Sequence, residues 1–133
     1  MNKLISCAAI VATAGLAGAD VYTDATGELF DNGFTHLDIG SVEITNDATW
    51  LTVSVQTGGD LTATNWGKYG IAINNGQGGA SDTGNGWGRP IDWNGQTITH
   101  WSATWADDGG DGFGGEVYNF DGAWNLLGAT WNG

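Results

Sequence analysis

The sequence predicts an all-β domain, an antiparallel β-sandwich of jelly-roll type. Apolar and polar residues alternate with a period of two in several segments, helical spacing is absent after residue 20, and glycine-rich connections separate the segments. Eight tryptophans, three tyrosines and four phenylalanines in 133 residues argue for a folded chain, because acidic disordered segments are poor in aromatics.

From the N-terminus, Lys3 precedes the apolar run LISCAAIVATAGLAG, and Ala17-Gly18-Ala19 stands before Asp20. This is the layout of a secretory signal peptide over residues 1–19, with the mature domain over 20–133. The apolar run is too short for a permanent span and no stop-transfer segment follows it. The expected product is therefore secreted or held at the cell surface, without membrane insertion of the mature domain. Leu4-Ile5-Ser6-Cys7 has the outline of a lipoprotein cleavage box, but the apolar stretch before Cys7 is too short for one. Loss of the signal removes Lys3 and the chain's single cysteine, so the formal charge moves from −12 to −13 and no disulfide can form. Nucleic acid and anionic lipid need basic patches and are excluded as partners. Neutral polyols or divalent cations suit the acidity better.

In HLDIGSVEIT the alternation changes phase between Ile39 and Val42, which predicts a bulge near Gly40. TWLTVSVQT sets Leu51, Val53 and Val55 against Thr52, Ser54 and Gln56, a half-buried strand. Asn46-Asp47 supplies the turn of a hairpin joining about 37–45 to 49–57. KYGIAIN repeats the alternation with Tyr69, Ile71 and Ile73. TITHWSATW carries Trp101, Ala103 and Trp105 on one face, and EVYNFD and AWNLLGATW are weaker strand signals. The abrupt end at GATWNG suggests a sandwich that continues beyond Gly133 and leaves one strand edge unpaired.

Two connections are unusual. Residues 76–95 carry seven glycines, and 106–115 read ADDGGDGFGG; loops of such length are uncommon in compact domains unless they bind something or are disordered. Trp66, Trp87 and Trp93 lie in or beside loops, while Trp50 alternates with core residues and is a candidate for exposure. An indole on a loop either packs locally or offers a flat apolar face on which sugar C–H groups stack, with planar polar side chains beside it to meet the hydroxyls. Asn65, Trp66, Lys68, Trp87, Arg89 and Trp93 are the candidate ligand-binding residues. Lys68 and Arg89 are the two cations of the mature chain, and each stands two residues after a tryptophan. Each can lie over an indole, bridge to carboxylates as a structural tie, or donate to a ligand.

Asp107, Asp108, Asp111 and Glu116 form a candidate structural Ca²⁺ set, because hard oxygen ligands on a flexible loop suit that ion. Their spacing fits neither an EF-hand nor a calcium nonapeptide repeat, and a solvated acidic turn is the alternative. Asp20, Asp24 and Asp31 are a second, equally ambiguous set. No paired-carboxylate motif marks a glycosidase. His36 and His100 stand alone and read as hydrogen-bonded structural residues, so no catalytic residue is expected.

The stretch DATGELFDNGFTHLDIGSVEITNDATWLTVSVQ, with TNWGKYGIAIN and GNGWGRPI after it, resembles exported β-sandwich domains of the family 9 carbohydrate-binding-module and DOMON group. The versions found in bacterial PEP-CTERM-sorted proteins are especially similar. The resemblance covers about residues 24–124 and rests on the strand order and the two Trp-Gly-basic triplets. It implies a sandwich that stacks sugars between aromatic side chains, often with structural Ca²⁺, and points to Trp66 and Trp87 as the platform. The sequence has no Pro-Glu-Pro motif, terminal apolar helix or basic end. The leading expectation is a non-catalytic carbohydrate-binding module whose partner is a polysaccharide or other glycan. The alternative is a structural or surface-matrix module, calcium-stabilised and without sugar binding.

Overall fold

A computed structural model describes residues 18–29, 32–64, 66–81, 83–106 and 113–132. The all-β prediction holds: among the described residues seven strands form two antiparallel sheets, of three and four strands. The chain divides into two compact units, one built on each sheet. Strand order is sequential in both, β1-β2-β3 and β4-β5-β6-β7, so each sheet is a meander. The crossing connections of a jelly roll are absent among the described strands. No helix among the described residues is long and apolar enough to cross a membrane.

In the three-stranded unit, β1 (Ala19–Thr23), β2 (Ile39–Asn46) and β3 (Leu51–Thr57) are paired antiparallel. The β2–β3 hairpin falls where the turn chemistry predicts it. Asp47 Oδ1 accepts from the amides of Thr49 and Trp50, both at 2.7 Å, and the Asp47 amide donates to the Trp50 carbonyl at 2.9 Å. The expected bulge is also present, as a register shift between Ile39 and Ser41. β1 went unanticipated; all five of its residues are exposed, so burial imposes no alternation on its sequence. Register puts Tyr22, Val42 and Val55 in one apolar row, and Val21, Glu43 and Ser54 in a mixed row on the opposite face. A 3₁₀ segment at Asn32–Leu37 precedes β2, and another at Leu61–Ala63 is capped by Asp60, whose Oδ1 accepts from the Thr62 amide at 2.9 Å.

The four-stranded unit contains β4 (Gly67–Ile73), β5 (His100–Ala106), β6 (Phe113–Phe120) and β7 (Trp124–Asn132). The two weakest strand signals in the sequence form the longest pair, β6 with β7, kinked by a bulge between Val117 and Tyr118. The core of this unit is Trp93, Ile98, Trp101 and Ala103, with Ala72, Trp87, Ile91, Tyr118 and Trp124 packed against it. Much of it comes from the glycine-rich connection between β4 and β5, which the Ala80–Ile98 bridge closes on itself and the Thr99 amide, donating to the Ile73 carbonyl at 2.8 Å, ties to β4. Gly86 is required there: a Cβ would sit 2.6 Å from Tyr118 Cγ and 3.0 Å from Trp101 Cδ1, so the backbone lies directly on the rings.

Candidate functional site

The segment Gly84–Arg89 is organised by Asn85, which is 3% exposed. Its Oδ1 accepts from the amides of Trp87 (3.2 Å) and Arg89 (2.9 Å), and its Nδ2 donates to the Arg89 carbonyl (2.7 Å). One amide side chain thus satisfies three backbone groups that a glycine-rich loop would otherwise leave open. The turn closes through the Gly88 amide on the Asn85 carbonyl (3.0 Å), with Gly88 at φ +62°, where a side chain would be strained.

This turn delivers Trp87 into an aromatic cluster. Its ring meets Trp101 edge-on at 6.2 Å and lies tilted to Trp105 at 6.1 Å, so the face expected to carry Trp101 and Trp105 does so. Trp87 Nε1 donates to Glu116 Oε2 at 2.6 Å, and the Tyr118 hydroxyl donates to the same oxygen at 2.8 Å. Burial foremost, then the bond to Glu116 and its negative charge, raise the Tyr118 phenol above its ordinary value. The Arg89 guanidinium stands over the Trp87 ring, 5.9 Å from its centroid, while the rest of Arg89 is exposed. Trp87 therefore has its N–H on a carboxylate, one face under a cation and its edges among other indoles.

Trp93 is in the core rather than on display. It is 6% exposed, its Nε1 donates to the Gly84 carbonyl at 2.9 Å, and its ring lies 5.8 Å from Trp101. Its place in a loop misled because that loop folds back to build the core.

Trp66 belongs to the three-stranded unit and differs from both. It is 46% exposed, yet Phe34 (5.3 Å) and His36 (5.1 Å) meet it at near-perpendicular angles, and these two rings also contact each other at 6.1 Å. His36 is 2% exposed, with Nε2 3.4 Å from Thr64 Oγ1. The indole is thus contacted at near-perpendicular angles by the buried His36 and the half-buried Phe34, while nearly half its surface stays open. The sequence marked Trp66; it gave no sign of Phe34 and His36 as its support, since they lie some thirty residues earlier in a 3₁₀ segment.

Lys68 is exposed in β4, and Asn65 lies outside the described residues. So do Asp107, Asp108 and Asp111 of the expected Ca²⁺ set, and Asp31 of the second. Glu116, the remaining member of the first, has one oxygen committed to Trp87 and Tyr118. Asp24 Oδ1 accepts from the Ala25 amide at 3.0 Å. No group of three or more His, Cys, Asp or Glu residues able to hold a metal occurs among the described residues. His100 Nδ1 pairs with Thr99 Oγ1 at 3.1 Å, the structural role expected of it.

Comparison of the chain with protein families, with characterised proteins and with solved structures finds no match.

Proposed function

We propose that this chain is an exported, non-catalytic β-sheet module that binds carbohydrate, with Trp66 as its stacking platform. The observation that carries the reading is a large indole 46% exposed but fixed in orientation by Phe34 and His36. Such exposure gives up burial that an indole would otherwise gain, while the support lowers the ordering cost when a sugar stacks on it. Trp87 leaves the proposed platform, because Glu116, Arg89 and two indoles already occupy its N–H, face and edges. The signal-like residues 1–19 and the scarcity of cations support an extracellular setting and a glycan partner rather than nucleic acid.

Native gel electrophoresis through a panel of soluble polysaccharides tests this. The wild type should be retarded by at least one, and Trp66→Ala should lose most of that retardation while keeping its circular dichroism spectrum. No retardation of the wild type by any glycan ends the proposal. A matrix-forming module without sugar binding is the second reading, favoured by the exposure of Tyr22, Leu51 and Val55 on the apolar face of the three-stranded sheet. Concentration-dependent assembly in light scattering, with no glycan bound, would favour it.

A further inference from the structure

Trp50 is 70% exposed, more than any other large apolar side chain among the described residues. Its backbone is nevertheless fixed on both sides by Asp47, through the amide and the carbonyl. Trp50 directly precedes β3, within which Thr52, Ser54 and Gln56 share one face and are all exposed. Beside them in β2, Glu43 pairs with Ser54 and Ser41 with Gln56; the Ser41 hydroxyl donates to Gln56 Oε1 at 3.3 Å. An exposed set of hydroxyl, amide and carboxylate groups, bordered in β1 by Val21 and repeating about every 6.8 Å along the strand, thus follows an unburied indole.

We infer that this outward face of the three-stranded sheet is a second glycan-binding surface, taking an extended, uncharged polysaccharide strand. The inference rests on the carbohydrate reading above and adds a site and a ligand class. Trp50 supplies the apolar disc for one sugar ring, and Thr52, Ser54 and Gln56 exchange hydrogen bonds with hydroxyls of the following units. The ligand is uncharged because residues 18–67 hold eight carboxylates and no Lys or Arg. A polyuronate or sulfated glycan would meet like charge from these eight carboxylates, with Lys68, two residues after Trp66, the nearest cation in the sequence. The ligand is long because Trp50 and Trp66 stand at opposite ends of β3. The far end of that strand is tied by the Gly58 amide to the Asp38 carbonyl (2.7 Å), two residues from the His36 that supports Trp66. At about 3.3 Å per residue the seven-residue strand between them is itself roughly 20 Å long, so a short oligosaccharide engages only one of them.

Affinity electrophoresis with a neutral linear polysaccharide, beside titration with its di- or trisaccharide, separates the outcomes. Trp50→Ala should weaken retention by the polymer about fivefold, the size of one aromatic stacking contact, and Trp50→Tyr should restore part of it. The short-oligosaccharide titration should be unchanged by Trp50→Ala and lost in Trp66→Ala. Polymer retention equal to wild type in Trp50→Ala, or equally tight binding of a polyuronate, overturns this inference and leaves the Trp66 reading standing. A wild type that binds no glycan removes both.

Discussion

The chain contains the same triplet twice, Trp66-Gly67-Lys68 and Trp87-Gly88-Arg89, and the two tryptophans have opposite fates. Trp87 is half-buried and fully engaged: its N–H is on Glu116, its ring packs against Trp101 and Trp105, and Arg89 stands over it. Trp66 is held by two rings at near-perpendicular angles and left nearly half open. The difference lies in what precedes each triplet. Asn85 bends the backbone so that Trp87 packs among Trp101 and Trp105, whereas Trp66 follows a short 3₁₀ turn and meets Phe34 and His36 at near-perpendicular angles. A cation two residues after an indole therefore does not by itself mark a ligand site; its partners decide.

The largest expected effect lies on the enclosed side. Trp101 is 3% exposed and touches both Trp87 and Trp93. Trp101→Ala should cost about 3–5 kcal/mol, read as a lower urea midpoint, whereas Trp66→Ala, at a surface position, should move the midpoint far less. If the two variants were equally destabilised, the contrast between a structural and a presented indole would be lost.

A smaller effect isolates the Trp87 N–H. Trp87→Phe keeps an aromatic ring and removes the donor, leaving Glu116 Oε2 with Tyr118 alone. The expected loss is about 1.5–3 kcal/mol, the range for a hydrogen bond to a charged group. In a double-mutant cycle with Glu116→Gln most of that loss should appear as coupling. Glycan retention at Trp66 should be unaffected, which sharpens the division of labour between the two triplets.

Much of the three-stranded sheet was legible in the sequence. The hairpin followed from Asn46-Asp47 between alternating segments, and the phase change at Gly40 became a bulge. Those signals are local, and local chemistry sets them. The fate of Trp93 was not legible, because a loop position says nothing of where the loop folds. Neither was the bond from Trp87 to Glu116, which spans 29 residues and exists only once β6 is in place. β1 escaped because an exposed edge strand imposes no hydrophobic period. The candidate site was half visible: composition and spacing pointed to Trp66, while its support, Phe34 and His36, is a product of tertiary folding.

Stability contributions in the two units should also fade at opposite ends of the pH scale. In the three-stranded unit, backbone hydrogen bonds from Thr49 and then Trp50 hold the Asp47 carboxyl below its ordinary 3.8, and the bonds from Thr62 do the same for Asp60. A carboxyl lowered by folding adds stability above the unfolded value of 3.8, and that contribution is lost as the pH falls through the lower, folded value. In the four-stranded unit the raised Tyr118 phenol, like Tyr69 raised by burial, works in the other direction. Its contribution is complete below the ordinary 10.0 and disappears as the pH rises through the folded value. Thermal melts from pH 2 to 12 should show both limbs, with Asp47→Asn flattening the acid one and Tyr118→Phe the alkaline one. The effects are small because both aspartates are solvated, but their separation is diagnostic. If either substitution altered the opposite limb, the hydrogen bonds assigned to Asp47 or Tyr118 would not be the source of the pH dependence.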